Sequence, residues 1–195
     1  STIKEVFANA AFLEKYSWLF TYLEAELKAE VLIDYVTTKK VLDDKGKEAV
    51  DKSTLASLKK LVYLGSEMAD DALASATALE ELEIGFIGTE ADRTLAALFN
   101  GPSATLKKVT LTKDTVIPAA AFKNFAALEE VVLSQELGYI VYGAFYNCQN
   151  LKTVVLPDNL ISIDYYAFDN CTALESIVIP DTVTRMGDGA FQNCT

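Results

Sequence analysis

Between residues 58 and 179 the apolar residues recur in one frame, L-x-x-L-x-L, whose later positions alternate as a strand with one buried face requires. The frame reads Leu58, Leu61, Tyr63; Leu79, Leu82, Ile84; Leu106, Val109, Leu111; Leu128, Val131, Leu133; Leu151, Val154, Leu156; and Leu174, Ile177, Ile179. It predicts six strands, one per coil. The first intervals are 21, 27 and 22 residues, after which the spacing settles at 23. Over residues 121–195 a second signature keeps the same period. Ala121-Phe122, Ala144-Phe145, Ala167-Phe168 and Ala190-Phe191 open successive units, and Asn147-Cys148, Asn170-Cys171 and Asn193-Cys194 follow within them. A constant period means that each unit is one supersecondary turn, unable to bury its apolar face alone and therefore stacked on copies of itself.

The linkers between frames are of two kinds. Glu67 to Ala78 and Glu90 to Phe99 are long and rich in Ala, Leu and acids, which predicts short helices on the outer face. In the later coils Leu137 and Ile140, Leu160 and Ile163, and Val183 and Met186 fill equivalent slots, which suits a second, outer strand or an extended turn. Pro157 and Pro180 follow their strands and end the inner ladder, because proline has no N–H to give. Residues 1–52 lack the frame. Thr2 with Glu5 and Thr21 with Glu24 fit helix-start capping boxes, and apolar residues recur there every three to four positions, predicting helices over about 2–16 and 19–36. Trp18, Phe20 and Tyr22 then supply the large side chains that a cap needs against the first coil. The chain thus divides into an N-terminal α-helical cap, 1–52, and one continuous solenoid, 53–195, irregular over 53–120 and regular over 121–195.

Stacking turns each repeat position into a column. Phe99, Phe122, Phe145, Phe168 and Phe191 predict a buried aromatic spine, and Asn124, Asn147, Asn170 and Asn193 an asparagine ladder that satisfies backbone groups in the turns. The first variable position of the six frames alternates in sign, as Lys59, Glu80, Lys107, Glu129, Lys152 and Glu175. The next follows as Lys60, Glu81, Lys108 and Glu130 before becoming Thr153 and Ser176. Such pairs oppose slippage of one coil past another, since a slip brings like charges together. The middle exposed column reads Val62, Glu83, Thr110, Val132, Val155, Val178, so its C-terminal half presents an apolar strip. A strip of this kind marks an interface, or reflects only the preference of valine for strands. Tyr139, Tyr142, Tyr146, Tyr165 and Tyr166 fall on the outer turns, where they serve contacts or shield coil edges.

Composition narrows the chemistry. The chain has no histidine and a net charge of −11, which removes the commonest general base and leaves no basic stripe for nucleic acid or an anionic membrane. Three cysteines form neither a disulfide framework nor a zinc spacing. Cys148, Cys171 and Cys194 share a column with Phe125, which implies a buried apolar slot rather than a nucleophile. Apolar runs are interrupted well short of the ~20 residues a membrane span needs. Neither catalytic residues nor cofactor or metal ligands are expected.

The units Ala144-Phe145-Tyr146-Asn147-Cys148-Gln149-Asn150-Leu151-Lys152-Thr153-Val154-Val155-Leu156-Pro157 and Ala167-Phe168-Asp169-Asn170-Cys171-Thr172-Ala173-Leu174-Glu175-Ser176-Ile177-Val178-Ile179-Pro180 closely resemble the BspA-like leucine-rich repeat family, with its A-F-x-x-C-x-x-L-x-x-I-x-I-P signature. The match covers about residues 121–195, degenerates over 58–120 and is absent from 1–52. The resemblance implies an α/β fold: a right-handed leucine-rich repeat solenoid with a parallel inner sheet of about six strands. It also implies a non-catalytic bacterial protein, secreted or at the cell surface, that binds protein or adheres to host or matrix components through its concave face. The candidate contact residues are Val132, Val155, Val178, Thr153, Ser176, Tyr142 and Tyr165. The alternative is a structural spacer or self-assembling scaffold unit without a specific ligand. The next leucine of the frame falls due at position 197, beyond Thr195, so an uncapped C-terminal end and a homodimer formed through it are further expectations.

Overall fold

The computed structural model describes residues 56, 59–63, 70–85, 87 and 93–194. The helical cap expected over 1–52 lies outside these residues, as do Leu58 of the first frame and the start of both early linkers.

Alternating apolar positions build a parallel five-stranded sheet. Its strands, in spatial order, are β1 (Lys60–Tyr63), β2 (Glu81–Ile84), β3 (Lys108–Leu111), β5 (Glu130–Val132) and β7 (Thr153–Val155). The register follows the frame: Leu61, Leu82, Val109, Val131 and Val154 align in one row and are all buried. A second parallel sheet orders β4 (Val116–Ile117), β6 (Tyr139–Ile140), β8 (Ser162–Ile163) and β9 (Arg185–Met186). Ile117, Ile140 and Ile163 form its fully buried row. These are the outer strands expected of the later coils. The sixth frame behaves differently. Leu174 is buried, but Ile177 and Ile179 are only half-buried and the segment forms no strand. Among the described residues no coil stacks beyond it, so its side chains gain only part of the burial that holds Val154 and Leu156.

The third side of each coil is the Ala-Phe turn. Phe122, Phe145, Phe168 and Phe191 stack face to face with centroids 4.8, 4.8 and 5.2 Å apart. Phe99 does not head this stack, contrary to the spacing. It lies half-buried and meets Phe125 edge-on at 6.3 Å. The spine position in that coil belongs to Leu95. Its N–H bonds to Ala121 O at 2.8 Å, as Phe122 N–H does to Ala144 O at 2.7 Å. The cause is α1 (Leu95–Phe99), a helix closed by left-handed Asn100, which lengthens the coil after the spine rather than before it. The preceding linker departs in the other direction: residues 70–78 form hydrogen-bonded turns, not the expected helix.

Each regular turn needs a residue with positive φ. Asn124, Asn147, Asn170 and Asn193 occupy it at φ 66°, 62°, 62° and 58°. Asparagine tolerates this region because its short polar side chain bonds locally. The amides were expected to serve backbone groups, whereas they bond chiefly one another. Asn147 Nδ2 donates to Asn124 Oδ1 at 2.9 Å and Asn170 Nδ2 to Asn147 Oδ1, while Asn193 Nδ2 turns to Asp169 Oδ1 at 3.0 Å. One core column contains a charge-bearing group. Leu137 and Leu160 are fully buried before their outer strands, and the equivalent position in the coil before is Asp114.

Candidate protein-binding face

The residues on the open side of the five-stranded sheet are placed by the same alternation that buries its core row. Glu83, Thr110, Val132 and Val155 pair in register along this side. The structure leaves Val132 38%, Val155 65% and Val178 84% exposed, so the apolar strip opens progressively toward the last coil. Thr153 and Ser176 are exposed in the neighbouring column. Tyr142 and Tyr165 are also exposed but belong elsewhere, just after β6 and β8 of the second sheet. The seven candidate contact residues therefore fall on two surfaces, three on the first sheet with two more in the sixth frame beside it, and two by the second sheet.

Charge flanks the valine strip without leaving it charged. Glu80 is bridged by both Lys59 and Lys107, the latter at 2.8 Å, and Lys152 reaches Glu129 at 2.7 Å. In the adjacent column Lys108 meets Glu130 at 2.8 Å and Lys60 meets Glu81 at 3.6 Å. The expected continuous ladder thus resolves into short groups, and among the described residues Glu175 in the unpaired sixth frame joins none. Hydrogen bonds from Lys107 and then Lys59 hold the Glu80 carboxyl down at about 2, and Glu129 is lowered by Lys152. Water surrounds these groups, so they define register and neutralise the rim rather than stabilise the fold appreciably.

The second sheet carries a groove of about 660 Å³, lined by Tyr139, Ser162, Tyr165, Arg185 and Met186 among others. Nearby, Tyr142 meets Tyr166 edge-on at 6.0 Å. Spacing marks the tyrosines and, as the equivalent of buried Ile140 and Ile163, Met186, but not Arg185. The exposure of Arg185 and Met186 arises because the last outer strand lacks a neighbour among the described residues.

The three thiols are free. Each donates to a carbonyl of the preceding coil: Cys148 to Phe122 O at 3.0 Å, Cys171 to Phe145 O and Cys194 to Phe168 O, both at 3.2 Å. Burial pushes Cys171 up to about 12 and raises Cys148 well above the usual thiol range. Such groups are packing elements, because the thiolate is the nucleophile. Native protein at pH 8 is expected to leave Cys148 and Cys171 at least about 100-fold less reactive to iodoacetamide than unfolded protein. Prompt labelling of the native state, read by mass spectrometry, would contradict this packing. Among the described residues no group of three or more His, Cys, Asp or Glu side chains is placed to hold a metal ion. No helix there is long and apolar enough to cross a membrane.

Comparison with known proteins agrees with this geometry. A leucine-rich repeat protein from Bacteroides ovatus has a similar structure, at a TM-score of 0.56 and 25% identity over 70% of this chain and 35% of its own. A leucine-rich repeat protein of T. pallidum aligns at a TM-score of 0.43 and 21% identity, covering 69% of this chain and 54% of its own. A leucine rich cell surface protein from Faecalibacterium prausnitzii aligns at 0.34 and 22% identity, over 60% of this chain and 41% of its own. The chain therefore spans about a third to a half of the length of these relatives. No curated protein matches it. The family model for the BspA type leucine rich repeat region matches residues 98–195 in six copies. Half the chain, including every stacked phenylalanine and all three cysteines, carries that repeat, and the chain belongs to the BspA type leucine-rich repeat family.

Proposed function

We propose that this protein is a non-catalytic binding module, secreted or held at a cell surface, whose five-stranded sheet presents Val132 and Val155, with Val178 of the adjoining sixth frame, to a protein partner of host or matrix origin. The observation that carries this reading is the exposed valine column, with Val132 and Val155 on adjacent strands, beside a charge-neutralised rim. Exposed apolar side chains on rigid strands gain by desolvation on contact, and a rim of internally paired charges leaves the contact weakly dependent on salt. Thr153 and Ser176 add hydroxyls beside the strip. Tyr142 and Tyr165, on the other sheet, serve as a separate surface in this reading.

Val155→Asp puts a charge at the centre of the strip without touching the core. It is expected to weaken capture of matrix proteins by at least tenfold, about 1.4 kcal/mol, with an unchanged unfolding midpoint. Tyr165→Ala, on the second sheet, is expected to bind as the wild type. Equal binding by Val155→Asp, or capture of nothing that saturates, would remove the proposal.

A second reading, a self-assembling scaffold unit, rests on the exposed Tyr139, Tyr142 and Tyr165 of the second sheet. Sedimentation separates the two. Concentration-dependent association that is abolished by Tyr165→Ala and unaffected by Val155→Asp would favour the scaffold.

A further inference from the structure

Asp114 occupies a position that the repeat reserves for a large apolar side chain. Its equivalents Leu137 and Leu160 are fully buried, and Asp114 is itself only 5% exposed. The equivalence is set by the backbone. Gly138 N–H bonds to Thr115 O at 2.9 Å and Ile161 N–H to Gly138 O at 2.8 Å, which aligns Thr115, Gly138 and Ile161 and therefore the residue before each. Of the two carboxyl oxygens, Oδ1 accepts the N–H of buried Ile87 at 3.3 Å, while Oδ2 has no hydrogen-bond partner among the described residues. A carboxylate held by one long hydrogen bond in an apolar column is poorly compensated for the water it has lost, whereas the neutral acid is not.

Among the described residues the charged groups on the neighbouring elements are Lys113 beside it, Glu83 on β2, Lys108 on β3 and Glu136 ahead of Leu137. Lys113 and Glu136 are exposed, Glu83 and Lys108 lie on the open side of the sheet, and none of the four contributes to holding the carboxyl. Burial pushes Asp114 up to about 7, with the Ile87 N–H opposing it. A raised carboxyl stabilises the fold in its protonated form. That contribution is fully present below the unfolded value near 4 and is lost as pH rises through about 7. The chain has no histidine, so no side chain with an ordinary pKa titrates between pH 5 and 8. Raised thiols and lowered surface glutamates lie outside that window.

We infer that Asp114 is a proton-sensitive joint: neutral and closed in mildly acidic surroundings, ionised and loosened above neutrality, where the irregular coil meets the regular ones. Its place in the fold gives the change a local target. Ile87 belongs to the coil before, and Thr115, immediately after Asp114, accepts the first hydrogen bond from the regular outer strands. Admitting water to Oδ2 separates these two segments while leaving the phenylalanine stack closed.

Hydrogen exchange between pH 5 and 8, corrected for intrinsic rates, tests this. The opening equilibrium at Ile87 and Leu111 to Ile117 is expected to rise by up to about tenfold per pH unit below pH 7, with amides of residues 145–171 unaffected. The thermal midpoint is expected to fall by several degrees from pH 5 to 8. Asp114→Asn keeps the shape and Asp114→Leu completes the column, and both should flatten these profiles, the leucine variant at a higher midpoint. A flat wild-type profile overturns the inference, as does a slope that survives in Asp114→Asn.

Discussion

Replacing Phe145 with alanine is expected to remove about 3 to 5 kcal/mol of stability, a large part of the ~5 to 15 kcal/mol typical of a domain. The ring is fully buried and sits between two others, each 4.8 Å away and within 8° of parallel. Deletion therefore opens a cavity that cannot collapse without shortening the stack, because the coil spacing is set independently by both sheets. Phe145→Leu is expected to cost about half as much. The fold already accommodates leucine at this position, since Leu95 occupies it, fully buried, two coils earlier. Urea titration with a common slope would measure both. A loss below about 1 kcal/mol for the alanine variant would mean that the stack is incidental to the coil spacing.

Gly187→Ala is the second severe change, expected to cost about 3 kcal/mol or more by overpacking. A Cβ built there would lie 2.2 Å from Tyr165 N and 2.6 Å from Asp164 C, both backbone atoms that no rotamer change can move aside. The equivalent positions in the coils before hold Asp164 and Val141, which make the same inter-coil bond with side chains present. At Gly187 the backbone of Asp164 and Tyr165 fills the space that a side chain would need. Gly138→Ala is the matching control. Its nearest atoms lie at 3.8 Å, so alanine fits and is expected to be neutral or to stabilise by up to about 1 kcal/mol through the unfolded chain. Thermal unfolding of the pair distinguishes close approach from a general intolerance of methyl groups. Equal midpoints for the two variants would show that the last coil shifts to admit the methyl.

How far the repeat could be read depended on whether each position answered to its own coil or to its neighbours. The five strands of the first sheet followed from alternation, because a register shift by one residue would expose Leu82 and Val131 together. The sign pattern Lys59, Glu80, Lys107 agreed independently. Spacing misled at Phe99, since 23 residues separate it from Phe122 and yet Leu95 fills the spine. The 27-residue interval from Leu79 to Leu106 marks an insertion but does not say on which side of the spine it falls. The candidate contact residues are all exposed, and the spacing already set Val155 on the inner strands and Tyr165 on the outer turns. Only the fold showed that the outer turns carry a second sheet with a groove of its own.

The sequence by itself determined the period, the family signature, the burial of the Leu/Val/Phe columns and the pairing of opposite charges, because all of these are properties of one unit repeated. Tertiary structure alone decided which coil interrupts the spine, where the strand ladder stops, how closely Gly187 meets Tyr165, and that Asp114 stands where leucine belongs. Each of these depends on what lies one coil above or below, and stacking distance, not composition, sets whether a given side chain meets water, backbone or another ring.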